Sequence, residues 1–268
     1  QSSAGNEQSL NATRGKQLKN FHSKHYVSAS TVLVAAGNIR HTELLHLARK
    51  LTKQIPKGSL SKWFPAIQKQ KSPEICLFQK NIEQTQLALG IRTCSRHDHR
   101  RFALRLLNTL LGENMSSRLF RSIREEHGLA YNIYSIPNFY HDTGSLTITA
   151  GLDTTNTEKA LKLTVKELKK LRNKAPSIGE LHRARDYLIG QLELSLESTD
   201  NQMNWVAEQL LGFEKIIPPD QIKDLLHKIR PSDIRRAAID FFQPTNICLS
   251  IISPLKGKKN LLKCLEID

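Results

Sequence analysis

The sequence predicts an α+β protein, in which an antiparallel sheet with helices packed against it is preceded by a partial copy of the same unit. Three observations carry this. Short β-branched or alternating runs are separated by long stretches at helical spacing. The clearest strand runs, residues 130–136 and 145–150, face each other across a turn at residues 141–144, the arrangement of an antiparallel pair. The opening of the chain also repeats the pattern of its close.

Taken in order, residues 1–8 are polar and expected to fray. Residues 13–26 read as a helix, with Leu18, Phe21 and Tyr26 expected to be buried. Residues 31–36 are β-branched and apolar, and Gly37 and Asn38 stop them as a strand. A second helix places Leu44, Leu47, Ala48 and Leu51 at helical spacing, and Pro56, Lys57 and Gly58 end it. Strands are expected at residues 74–79 and 84–91. A helix over 98–111 sets Phe102, Leu106 and Leu110 on one face. Another runs from Ser116 to about Glu126, capped by Ser116 or Asn114 and ended by His127 and Gly128. In the run 145–150, Leu146, Ile148 and Ala150 point inward, and Ser145, Thr147 and Thr149 outward. Long helices follow at 157–172, 177–197 and 202–213. Two shorter helices and a last strand at 246–252 finish the unit.

The closing helix, turn and strand match the opening ones. Tyr26 aligns with Phe242, Leu33 with Leu249 and Ala35 with Ile251. A helix–strand–helix piece cannot bury its own faces. The expected organisation is therefore a remnant of a first unit at 1–57, a linker at 58–72 and a second unit at 73–268.

The 268 residues suffice for a sizeable core, and 39% hydrophobic with 24% charged residues is the composition of a globular chain. The longest apolar run, 31–36, is too short to span a bilayer. The chain opens on Gln1 with no signal-peptide pattern, as a mature fragment would. Forty Lys and Arg against 25 Asp and Glu give a net charge of +15. The basic residues are spread out and not interleaved with aromatics, so nucleic acid is not the expected partner. Cys76, Cys94, Cys248 and Cys264 show no CxxC spacing and read as free thiols. They leave the compartment open between periplasm and cytoplasm.

Metal sites read poorly. Neither HExxH nor HxxEH occurs. His22 and His25 share a helix face but lack a third ligand. His97, Asp98 and His99 surround a helix start, where Asp98 reads as a cap, and His141 to Gly144 is turn chemistry. No GxSxG elbow or Walker loop is present, and Ser116 and Ser117 read as capping hydroxyls. What remains is Arg124 at a helix end and Tyr131 at a strand start, facing across a glycine reversal. The two side chains are donors that suit a peptide carbonyl or a developing oxyanion. The residues equally allow Arg124 to pair with Glu125 or Glu126, or to sit at the helix C-terminus.

The run SSRLFRSIREEHGLAYNIYS strongly resembles the C-terminal half of insulinase/pitrilysin-type zinc peptidases, the group that includes mitochondrial processing peptidase and its bacterial relatives. Gly144 to Ile148, Gly151 and Leu152 continue the pattern. So do Leu18 to His22, His25, Tyr26 and Val34 to Asn38. The resemblance covers about residues 5–254. It implies duplicated α/β units, with two halves closing around an unfolded peptide. It implies zinc on HxxEH and a downstream Glu in the other half, and substrate-holding roles for Arg124 and Tyr131 here. HxxEH is missing from this chain, and the loop before Met115 has a single Gly112.

The function expected is the substrate-binding half of a zinc metalloendopeptidase, inactive alone. Its expected partners are an unfolded peptide and an HxxEH-bearing half or subunit, in a homo- or heterodimer. No cofactor is expected in this chain, and zinc in the missing or partner half. The alternatives are a non-catalytic peptide-binding or assembly subunit and, more weakly, a basic nucleic-acid binder.

Overall fold

The alternating runs of the second half of the chain join one five-stranded sheet. In this computed structural model, which describes residues 4–60 and 63–267, the strands are β1 (Glu74–Gln79), β2 (Gln84–Thr93), β3 (Ala130–Phe139), β4 (Gly144–Asp153) and β5 (Ile247–Ser253). Their order is β1-β5-β2-β4-β3. β2, β3 and β4 pair antiparallel, as does β2 with β5, while β1 and β5 run parallel. The sheet is thus antiparallel except at one edge, which the strand patterns alone did not separate. The long chain between β1 and β5 supplies the crossover that a parallel pair requires.

Period-two patterning decides which face is covered. Leu146, Ile148 and Ala150 of β4 are buried as expected, and Ser145, Thr147 and Thr149 lie half-buried on the other face. Leu87, Leu89 and Ile91 of β2 and Ile247, Leu249 and Ile251 of β5 join the same core. Helix α4 (Arg101–Asn108) packs beside β3, and α9 (Pro231–Phe241) beside β2. Helix α5 (Thr157–Asn173) packs on α9 through a stripe containing Leu161, Val165, Leu168 and Leu171. The remaining helices are α1 (Glu7–Ala12), α2 (Gly15–His25), α3 (His41–Leu51), α6 (Ile178–Leu196), α7 (Thr199–Phe213), α8 (Pro219–Lys228) and α10 (Lys259–Cys264). Sequence reading missed α10, although Leu261, Cys264 and Leu265 are buried there.

Two compact units emerge. One comprises residues 66–194 and 217–268 and contains the sheet and its core; the other comprises 1–65 and 195–216. The cut differs from the linker read at 58–72. Residues 66–72 fall with the sheet unit, where the Ala66 N–H donates to Asp142 Oδ2 at 2.6 Å and Gln70 Nε2 to the Ile247 carbonyl at 2.6 Å. The helix read at 202–213 falls with the opening residues.

The opening unit departs from expectation. The fray expected over residues 1–8 does not extend to Glu7 and Gln8, which open α1; residues 1–3 lie outside the described residues. Leu18, Phe21 and Tyr26 are exposed rather than buried, and residues 31–36, extended at Thr31, form no ladder among the described residues. Extended backbone becomes a strand only when another strand takes its N–H and C=O groups. Val27 is the buried apolar side chain of this stretch. Gly58, at φ +57°, packs so closely against it that a Cβ would collide with the Val27 side chain.

Candidate functional site

The run 108–131 builds two helical turns, a loop and a reversal. Helix α4 continues at the wider π pitch over Thr109–Glu113, a pitch that recurs at functional positions. Gly112 passes so close to β3 that an added Cβ would lie 2.6 Å from Ser135 Oγ and 2.9 Å from Ser135 N. A polar chain fixes this approach. The Ser135 hydroxyl donates to Asn108 Oδ1 at 2.7 Å, Asn108 Nδ2 to Glu113 Oε2 at 3.3 Å, and Thr109 Oγ1 to Glu113 Oε2 at 2.5 Å. The sequence signal for this network was polar Asn108 and Thr109 on an otherwise apolar face.

Asn114 starts the loop. Its Oδ1 accepts the Ser116 N–H at 2.9 Å and its carbonyl accepts the Ser117 N–H at 3.0 Å. The capping hydroxyls expected at Ser116 and Ser117 are not used in this way. Ser117 Oγ is buried and unpaired among the described residues, and helix begins only at Arg118. Asn114 is the better acceptor because its carbonyl oxygen reaches two residues ahead, as Asx turns do. A second π-pitch helix, Phe120–Glu126, follows. Leu119 and Ile123 are buried in the core, whereas Phe120 is only half-buried. Arg118 anchors this helix to α6, its Nη2 lying 2.9 Å from Glu180 Oε1. Burial pushes the Glu180 carboxyl up, but the Ser177 N–H and the Arg118 guanidinium outweigh it, leaving Glu180 below its ordinary value.

Arg124 lies on the exposed side of that helix, its guanidinium carbon 4.9 Å from the centre of the Phe120 ring. It forms no ion pair with Glu125 or Glu126 among the described residues. Gly128, at φ +60°, then reverses the chain, and the Leu129 N–H closes on the Ile123 carbonyl at 2.9 Å. Tyr131 comes next, in a β-bulge. Ala130 pairs with Leu152 and Asn132 with Gly151, leaving Tyr131 as the extra residue. Asn132 Oδ1 accepts the Gly151 N–H at 2.8 Å, which pins the bulge. Bulges re-aim side chains out of the regular alternation, and Tyr131 is 65% exposed. The structure thus presents Arg124 and Tyr131 on either side of the Gly128 reversal, with no hydrogen bond between them.

The histidines have local explanations. His22 stacks on Tyr26 with ring centres 4.5 Å apart, and His25 meets Phe21 in a tilted pair at 4.4 Å. Asp98 accepts the Arg100 N–H at 2.8 Å and chelates its guanidinium, so it serves the turn before α4 rather than the formal cap position. His97 and His141, far apart in sequence, approach with Nε2 to Nδ1 at 3.0 Å. Among the described residues no group of three or more His, Cys, Asp or Glu is placed to hold a metal ion. No zinc-dependent step is assigned to these residues. No helix among the described residues is long and apolar enough to cross a membrane.

The family model for the "Peptidase M16 inactive domain" matches residues 14–188. This chain belongs to that peptidase family, the zinc-peptidase group its central run resembles. It is 31% identical to an uncharacterized zinc protease of Streptomyces coelicolor over 95% of this chain and 57% of that protein. With an uncharacterized zinc protease of Bacillus subtilis it shares 30% identity, over 93% of this chain and 60% of that protein. The chain therefore spans less than two thirds of these relatives. Its fold matches a protease from Helicobacter pylori at TM-score 0.85 and 20% identity, over 93% of this chain and 62% of that one. It also matches a peptidase M16 inactive domain from Pseudomonas fluorescens at 0.84 and 22%, over 96% and 61%.

Proposed function

We propose that this chain is the substrate-holding half of a zinc metalloendopeptidase and works with an HxxEH-bearing half. That half is either another segment of the same polypeptide or a separate subunit in a homo- or heterodimer. One observation carries the reading. The guanidinium of Arg124 and the hydroxyl of Tyr131 stand exposed without hydrogen-bond or ion-pair partners among the described residues. Both are held by local structure, Arg124 by the Phe120 ring and Tyr131 by the bulge. Donors positioned in advance are what stabilises a developing oxyanion, because they need not reorganise as charge appears. Arg124 and Tyr131 would donate to the carbonyl oxygen of an unfolded peptide. The metal would belong to the partner half. In the same reading, residues 1–57 are the closing part of a first peptidase-like unit and 73–268 are the second.

The test is complementation. Mixing the chain with an HxxEH-bearing M16 chain should yield cleavage of unfolded fluorogenic peptides. Arg124→Ala and Tyr131→Phe should each lower kcat/KM by about a hundredfold with the complex still formed. Full activity in both variants would end the catalytic reading and leave a non-catalytic peptide-binding or assembly subunit.

A further inference from the structure

Helix α5 buries one stripe and turns lysines outward. Toward its C-terminal end, a groove of about 740 Å³ opens between α5, the turn at 175–178 and Pro231 at the head of α9. Its charged lining is Arg118, Lys166, Lys169, Lys170, Lys174 and a single acid, Glu180. Glu180 is already committed, to Arg118 at 2.9 Å and to the Ser177 N–H at 2.9 Å. Lys170 is likewise committed, to Glu167 at 2.6 Å. Lys166, Lys169 and Lys174 have no ion pair or hydrogen bond among the described residues. The groove is therefore a concavity with three uncompensated cations.

We propose that this groove docks an acidic protein segment, rich in Asp and Glu. The proposal is independent of the roles given to Arg124 and Tyr131. Its physical basis is complementarity in charge, spacing and shape. At 1.5 Å per residue, Lys166 and Lys174 lie about 12 Å apart along the helix. An extended peptide sets alternate side chains about 7 Å apart, so two or three carboxylates along it can each meet a lysine. Among the described residues no aromatic side chain lines the groove, which removes the stacking platform that single-stranded nucleic acid uses. Lysine is a point charge on a flexible stem without the bidentate fork that arginine offers phosphate. A concave groove also cannot lie flush on a bilayer. The net charge of +15 adds long-range attraction for an acidic partner.

The experiment uses the whole chain and a fluorescein-labelled twelve-residue peptide of alternating Glu and Ser. Binding should weaken about tenfold in K166E/K169E/K174E and fall with salt around 0.1 M. The same net change made on α2, K16E/K19E/K24E, should alter it less than about twofold. Circular dichroism verifies folding, and K166Q/K169Q/K174Q should show a smaller loss of the same kind. Equal losses in the α5 and α2 charge reversals would overturn the proposal, because general charge would then explain the binding. So would no measurable binding, or tighter groove-dependent binding of an oligothymidylate of equal charge or of phosphatidylglycerol vesicles.

Discussion

The opening and closing segments of this chain have nearly the same local structure and opposite fates. Helices α2 and α9 each have 11 residues, and an arginine precedes each. The Arg14 N–H donates to Gln17 Oε1 at 2.8 Å, and the Arg230 N–H to Asp233 Oδ2 at 2.8 Å. Each helix ends on an aromatic, Tyr26 at φ −90°, ψ 73° and Phe242 at φ −81°, ψ 59°. A three-residue 3₁₀ turn follows in both, Ser28–Ser30 and Pro244–Asn246, and then extended backbone. At the same offset in sequence, α1 corresponds to α8 and α3 to α10. Yet Tyr26 and Leu33 are each 61% exposed, whereas Phe242 and Leu249 are fully buried. Caps and turns are set by residues within a few positions. Burial depends on what other strands and helices supply, and β5 lies between β1 and β2 while residues 31–36 have no such strand neighbours among the described residues.

The largest expected effect tests this contrast directly. Leu249→Ala should cost about 3 kcal/mol in urea unfolding, because it leaves a cavity in a closed core. Leu33→Ala, its counterpart, should stay within about 0.5 kcal/mol. Comparable losses at both positions would show that the opening segment is covered in solution. Gly112→Ala sharpens the second half of the comparison, since its new Cβ would collide with Ser135 backbone and side chain. A loss of about 1–3 kcal/mol is expected, with Gly15→Ala on α2, where a Cβ meets nothing within 4 Å, showing no such loss.

Smaller effects follow at the polar contacts. Glu180→Gln should cost about 1 kcal/mol at neutral pH. Its carboxyl is depressed below an ordinary value of 4.5 in the folded state. The stability it contributes is therefore present above that value and lost as pH falls through the depressed folded value. In acid titrations of stability, Glu180→Gln and the wild type should converge as pH drops below about 4.5; parallel curves would exclude the linkage. The smallest difference expected is between the two caps. Asp233→Ala should cost about 0.5–1 kcal/mol, and Gln17→Ala no measurable amount, because the latter caps a helix whose exposed face makes little contribution to global stability.

The sequence by itself determined the strands of the sheet unit, the direction of the side chains from Ser145 to Ala150 in β4, and the run ending in the Gly128 reversal, because these follow from period-two alternation, helical spacing and turn chemistry within a few residues. It also singled out Arg124 and Tyr131, first as a donor pair across that reversal and then through the family resemblance. Only the tertiary structure decided the parallel β1–β5 edge, the bulge that turns Tyr131 outward, the approach of Gly112 to Ser135 and the exposure of Tyr26 and Leu33. Each depends on groups distant in the chain. A pattern can state that a face is apolar, but only the neighbouring elements determine whether it is covered.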